Sequence, residues 1–342
     1  MSDQEFPVLV EVTRGAMVES CHRGAAVVVD AKGGIVMAWG NVETPIYARS
    51  AAKPLQALAL VETGAADAFA LGPRELALAC GSHHGEPPHV AAVASWLARI
   101  GLGAEDLECG AHLPLNQDAA DALRGRGMSP SALHNNCSGK HSGFLTTAKF
   151  LGEPTEGYVG AAHPVQQRVE RIIGEMAGLD LAHAPHGTDG CGIPVVGLPL
   201  AALARAMARM ADTCGLPPER ADASRRLLDA MAAEPLMVSG STGFATALLR
   251  LAGGKVRAKP GAEGVYAASL PRLGLGVALK IEDGAGRAGD AALVAILARL
   301  GVLDAAEMEA LADARKATVR SIAGSAVGEV RAGPLLRPLP NA

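Results

Sequence analysis

A chain of 342 residues with net charge −4 and no basic run argues against nucleic acid or an anionic membrane as its partner. Nearly half of the residues are hydrophobic but only 3% are aromatic, so the core has to be built from Ala, Val, Leu and Ile. Six widely spaced cysteines, Cys21, Cys80, Cys109, Cys137, Cys191 and Cys214, read as buried thiols, metal ligands or reactive groups and exclude an obvious disulfide framework.

The first residues, Met1 to Phe6, are polar and acidic and unlike a signal peptide. No apolar run approaches the roughly 20 residues that span a bilayer, so a soluble cytoplasmic protein is expected. Strands are predicted at Val8–Thr13, Ala16–Cys21, Ala25–Asp30 and Gly34–Gly40, the last two joined at Gly33-Gly34. From Ser50 to about Ala233 the pattern is mostly helical, with helices at Ala52–Val61 and Pro87–Arg99. His163-Pro164 opens another, carrying Val165, Val169, Ile172, Ile173 and Met176 on one face. Gly197-Leu198-Pro199-Leu200 leads into a further helix through Met210.

After residue 237 strands are predicted at Ala245–Leu251, Lys255–Ala258, Gly264–Leu270 and Leu275–Ile281. Helices follow at Gly289–Leu300 and about Ala305–Arg320. The expected class is α+β: a single domain over 1–342 whose mixed or antiparallel sheet joins strands from 8–40 and 237–283. Helices cover its faces and a helical region spans 50–235. No internal repeat or linker is visible.

Ser50 and Lys53 stand three apart where a strand hairpin feeds a helix, which puts both side chains on one face. A neutral lysine there takes the serine proton and leaves a nucleophile for acyl transfer; the bland alternative is a solvated pair on a surface helix. Four more stretches are too polar and glycine-rich for ordinary core: Cys80–Glu86, His134–Gly143, Gly187–Pro194 and Lys259–Tyr266. Within them His83-His84 reads as a surface pair or a metal pair, Asp189 as a turn cap or a site acid, and Glu263 as a solvated hairpin residue. Cys137 and Cys191 are small buried hydrophobes or, if their loops meet, ligands for a soft divalent ion such as Zn²⁺. Spacing alone does not nominate Lys140 as a ligand.

In this order, Arg49-Ser50-Ala51-Ala52-Lys53-Pro54, Cys80-Gly81-Ser82-His83, His134 through His141, Asp189-Gly190-Cys191-Gly192, Lys259 through Val265 and Lys280-Ile281-Glu282-Asp283-Gly284 resemble the asparaginase II family, the rhizobial-type (class 3) L-asparaginases. The resemblance covers about residues 8 to 330 and implies a fold similar to serine β-lactamases and glutaminases. It implies Ser50 as nucleophile with Lys53 as base, and a second pair, Ser82 and Lys259, facing the first. It implies zinc on Cys137, Lys140 and Cys191, and a pocket lined by Arg49, His141 and Asp189. A homodimer is a further expectation. The implied reaction is hydrolysis of L-asparagine through an acyl-enzyme, with backbone N–H groups near Ser50 or in a glycine turn as oxyanion donors. Alternatives are a glutaminase or other small-amide hydrolase, a β-lactam-type acylase, or a zinc-containing binding protein without turnover. The chain departs from the family after Met237-Val238, where Gly243 and Ala245 stand at places aligned with an arginine and an aspartate.

Overall fold

The computed structural model describes residues 5–315 and 317–337, so the reading of Met1 to Gln4 lies outside the described residues. Strands β1 (Val8–Arg14), β2 (Met17–Asp30) and β3 (Ile35–Trp39) open the chain. Three short strands, β4 (Pro45–Tyr47), β5 (His186–Thr188) and β6 (Pro194–Pro199), lie in its middle. The last five are β7 (Arg257–Gly261), β8 (Val265–Leu270), β9 (Leu275–Ile281), β10 (Thr318–Arg320) and β11 (Ala326–Ala332).

The main sheet runs β10-β11-β1-β2-β9-β8-β7 with β3 also paired to β2, and every pairing is antiparallel. N- and C-terminal strands therefore meet, at β1–β11 and β2–β9, as the α+β reading requires.

Why a sheet forms here follows from β2. Its run Ala25-Ala26-Val27-Val28-Val29 is buried on both faces, because successive side chains of a strand point to opposite sides. Ala25, Val27 and Val29 join the core under the helical region, while Ala26 and Val28 join a second core beneath the helix Gly286–Arg299. Asp30 fixes the β2–β3 turn, its carboxylate accepting from the N–H groups of Lys32 and Gly34 at 2.8 Å each.

Several local expectations need correction. Ala16–Cys21 and Ala25–Asp30 belong to one 14-residue strand. Ala245–Leu251 is not a strand: Phe244–Leu251 is a helix that buries Phe244, Ala245, Leu248 and Leu249 on one side, a helical spacing under a β-like composition. The C-terminal share of the sheet thus starts at Arg257 and gains β10 and β11 beyond residue 283. The helix expected over Ala305–Arg320 covers only Ala305–Ala310, capped by Asp304; part of the expected span, Lys316, lies outside the described residues. Ala52–Val61 is two short helices, Lys53–Gln56 and Leu58–Glu62, entered through a 3₁₀ turn at Arg49–Ala52. The region 50–235 is not purely helical either, since β4, β6 and β5 form a small antiparallel sheet. No helix of the described residues is long and apolar enough to cross a membrane.

Candidate active site

The small sheet aims two loops at one place. β4 runs straight into Tyr47-Ala48-Arg49-Ser50, and the β5–β6 hairpin carries Asp189 and Cys191. There Arg49 Nε donates to Asp189 Oδ1 at 2.7 Å, with both side chains largely buried. Arg49 holds a left-handed φ of +50°, a strained value for a non-glycine residue and one that is concentrated at functional sites. Burial opposes ionisation of Asp189, but the positive charges of Lys140 and Arg49 and the Gly190 N–H outweigh it, so its carboxyl stays below the ordinary aspartate value.

Lys259 arrives from the main sheet. It pairs with Ala267 across β7–β8 and so shares the face on which Ala267 meets the helical region. Two residues on, Gly261 lies against the backbone of the Ser50 turn, close enough that a Cβ there would meet Ala48 O at 2.8 Å. Ser82 follows the helix Pro73–Cys80, its N–H bonded to Val238 O.

These elements converge on one hydroxyl. Lys53 Nζ lies 2.9 Å and Lys259 Nζ 2.8 Å from Ser82 Oγ. Lys53 also reaches Gly81 O at 2.5 Å and Asn136 O at 3.3 Å, three acceptors for the three N–H groups of an ammonium. Lys259 has one further partner, Pro260 O at 2.7 Å, which suits a neutral amine that donates to the carbonyl and accepts the serine proton. Both lysines are fully buried. Burial lowers the pKa of each, and repulsion from Lys53 pushes Lys259 well below the ordinary lysine range. Ser50 is half-buried, and among the described residues no hydrogen bond ends on its hydroxyl.

The two thiols meet. Cys137 is the N-cap of the helix Ser138–Leu151, not the loop residue expected, because Ser, Gly and Thr there conceal a helix that is buried along most of its length. Cys137 and Cys191 share a hydrogen bond, which with the nearby lysines holds Cys137 well below the usual thiol range and pushes Cys191 up. Lys140 Nζ donates to Cys191 Sγ at 3.0 Å; burial opposes its charge, yet the two sulfurs raise its pKa. Among the described residues no group of three or more His, Cys, Asp or Glu side chains is placed to hold a metal; the Cys137–Lys140–Cys191 set contains a lysine.

Histidines frame the site. His83 accepts from Gly85 N–H on Nδ1 and turns Nε2 to Ser138 Oγ at 2.8 Å, so both ring nitrogens are engaged and the pair with His84 is no metal pair. His84 lies instead within 3.3 Å of Thr242 Oγ1. His141, fully buried, lies 2.7 Å from the Tyr158 hydroxyl through Nδ1, and its Nε2 has no partner among the described residues. Glu263 is exposed with φ +59°, and its carbonyl accepts from Lys280. Sequence reasoning missed Tyr158 and Gln56, a buried amide whose Oε1 is unpartnered. Gln56 lines a hollow of about 30 Å³ behind Arg49 and Asp189, room for water and little else.

A family model described as L-asparaginase II matches residues 10–332. The chain belongs to the L-asparaginase II family. That membership makes it an amidohydrolase. No curated protein matches the chain. Among solved structures it is similar to Mglu in its native form, with 16% identity and TM-score 0.47, over 83% of this chain and 66% of that one. It is also similar to the D-alanine carboxypeptidase AmpC of Burkholderia cenocepacia (16% identity, TM-score 0.40, 82% and 93% covered). A β-lactamase of Mycobacterium bovis gives 14% identity and TM-score 0.37, with 80% and 94% covered.

In this L-asparaginase II chain the departing segment is closed to large side chains. A Cβ at Gly243 would overlap the carbonyl and side chain of Ser239, and Ala245 is buried in the helix Phe244–Leu251.

Proposed function

We propose that the protein hydrolyses the side-chain amide of L-asparagine through a serine acyl-enzyme. The observation that carries this reading is the buried chain Lys53–Ser82–Lys259, an amine, a hydroxyl and an amine in contact with no carboxylate partner among the described residues. Structural lysines are seldom buried without a counter-ion; Lys53 has the Cys137 thiol beside it, but the hydrogen bonds of Lys259 among the described residues go only to Ser82 and Pro260, and nucleophile activation needs an amine held neutral.

In this mechanism Ser50 Oγ attacks the amide carbon, the C–N bond breaks, and the nitrogen leaves as ammonia after receiving a proton. Water then attacks the ester, giving aspartate and restoring the serine. The Ser50 hydroxyl, on a half-buried residue one turn before Lys53 and beside β7 and with no hydrogen bond among the described residues, supports its role as nucleophile. In this reading Lys53 passes a proton through Ser82 to Lys259 and then serves as the base for Ser50, so that Ser82 with Lys259 forms the second pair. Arg49 and Asp189 suit an α-amino acid, whose carboxylate and ammonium complement them. A second reading makes Ser82 the nucleophile and Lys259 its base, favoured because Lys53 has three acceptors and Lys259 only two partners.

Cys137, Lys140 and Cys191 would hold the zinc ion that the resemblance implies; two sulfurs and an amine that already converge are a soft donor set that fits it. Bound there, zinc would tie the β5–β6 hairpin to the helix Ser138–Leu151 and supply fixed positive charge.

Ammonia release from L-asparagine and L-glutamine, with mass spectrometry of the trapped acyl-enzyme, tests the proposal. The expected result is asparagine-selective release, acylation of Ser50, and a loss of at least about a thousandfold in kcat for Ser50→Ala. Acylation of Ser82 with activity surviving in Ser50→Ala would move the nucleophile's role to Ser82. Glutamine selectivity would replace the substrate.

A further inference from the structure

His141 stands four residues after Cys137 on the helix Ser138–Leu151, so its ring lies over the same face as that thiol. The imidazole is fully buried and carries a nitrogen, Nε2, with no hydrogen-bond partner among the described residues. A buried polar atom without a partner is uncommon and calls for an absent ligand or water. Whether that atom is a donor or an acceptor depends on which ring nitrogen carries the proton, and the surroundings decide this.

The count begins at Glu108. Its backbone N–H donates to the Tyr158 hydroxyl oxygen at 2.9 Å. Tyr158 is fully buried, and the acceptor described within reach of its own O–H is His141 Nδ1, at 2.7 Å. A phenol has one proton to donate, and burial of Tyr158 raises its pKa, which keeps that proton in place. If His141 instead carried its proton on Nδ1, two donors would converge on the phenol oxygen and the Tyr158 proton would point at nothing. With the proton on Nε2, every atom of the chain Glu108 N–H, Tyr158 O–H and His141 Nδ1 is satisfied. The ring is edge-on to Tyr158 and to Phe144, at centroid distances of 5.4 and 5.9 Å, which limits its rotation.

We propose that Tyr158 is a positioning residue that fixes His141 as the Nε2–H tautomer, so that the ring offers a buried N–H donor to an oxygen of the substrate. The substrate half of this rests on the L-asparagine reading above and on the pocket role that the resemblance implies for His141, while the tautomer rests on the hydrogen bonds alone. A fixed tautomer makes the site selective for an oxygen acceptor at that point and unfavourable for a nitrogen donor. The discrimination is large when a buried group would otherwise be left unpaired.

The ring-nitrogen NMR spectrum of uniformly folded, histidine-¹⁵N-labelled protein, assigned through a His141→Gln sample, tests the first half directly. The expected result is one protonated nitrogen at Nε2 and a bare Nδ1. A protonated Nδ1 would overturn the proposal, whatever the enzyme turns over. For the second half, KM and kcat are compared for Tyr158→Phe, His141→Gln and His141→Leu on L-asparagine. Tyr158→Phe and His141→Leu are each expected to raise KM about tenfold, while His141→Gln, whose amide keeps a donor near Nε2, stays within about threefold. Equal losses in the Gln and Leu variants would overturn the donor role. A wild-type enzyme that leaves asparagine untouched would sink the substrate reading alone, since the tautomer is read without turnover.

Discussion

On one face of the main sheet, Leu9, Val28, Val277, Leu279 and Ile281 pack against Leu293, Ile296 and Leu297 of the helix Gly286–Arg299. On the other, the helical region brings Lys53, Lys140, Lys259, His83 and His141 to full or nearly full burial. The first face gains stability from apolar area removed from water. The second face carries desolvated amines that weaken the fold and are tolerated because the surrounding packing over-determines them. Comparing the two separates residues that hold the protein together from residues proposed to give it chemistry.

The sharpest way to break that contrast is Lys259→Met. If Lys259 takes the serine proton as proposed, its removal should lower kcat for amide hydrolysis about a hundred- to ten-thousandfold. The same change should leave the melting temperature unchanged or raise it, since a desolvated amine with no carboxylate partner among the described residues is replaced by an apolar side chain of similar length. A drop of several degrees in thermal unfolding would mean that Lys259 is structural. The mirror experiment is Leu293→Ala on the apolar face. It should cost about 3 kcal/mol in denaturant unfolding and leave kcat of the folded enzyme intact.

Smaller effects sharpen the picture. Zinc at about a hundredfold excess over its dissociation constant should stabilise the fold by about 2.7 kcal/mol, seen as a thermal shift. That shift should vanish on chelation and in Cys191→Ser; an unchanged shift in the variant would place the ion elsewhere. Gly243→Ala should cost about 1–2 kcal/mol, because its methyl group meets the Ser239 carbonyl, and unfolding curves identical to wild type would refute the overlap.

The last effect is a slope. Because Lys259 is held below the ordinary lysine value, the folded state binds fewer protons than the unfolded chain between those two pKa values. Its contribution therefore grows as pH rises through that interval and is complete above the unfolded lysine value. Urea unfolding at several pH values up to about 10 should show a slope of at most about 1.4 kcal/mol per unit for this group, absent in Lys259→Met. Equal slopes in both proteins would remove Lys259 as the cause.

Much of this was legible in the chain, for identifiable reasons. The alternating and Val-rich runs at Val8–Thr13, Ala25–Asp30 and Leu275–Ile281 read as strands and are strands. His163 caps its helix through Val165 N–H, as the His-Pro opening implied. Three- to six-residue strands punctuated by Pro45, Pro194 and Pro199 carry too little periodicity to register, so β4, β5 and β6 were hidden. The helix after Cys137 was hidden by its small polar residues, since a helix buried on every side over Ser138–Ala148 has no polar face to set its period. Ser50-x-x-Lys53 was visible as a pair, yet the geometry ties Lys53 to Ser82, a contact between residues 29 apart that no local spacing encodes. Tyr158 left no trace, because its meaning lies in the histidine and the backbone amide it joins.

The two-sided burial of β2 leaves a question of alignment. A slip by one residue normally exchanges an oily face for a wet one, and that penalty is what keeps strands in step. Along Ala25–Val29 the exchange would swap alanines and valines for one another, so the penalty is small. The strand has to be indexed by something other than greasiness. Gly24 supplies the notch: opposite Ile281, it lies where any Cβ would overlap the Lys280 carbonyl oxygen, so only one residue of β2 fits that slot. Lys280 in turn grips the Glu263 carbonyl at the end of the hairpin that bears Lys259. A missing side chain at position 24 thus serves as the reference mark from which the strand bearing Lys259 is measured.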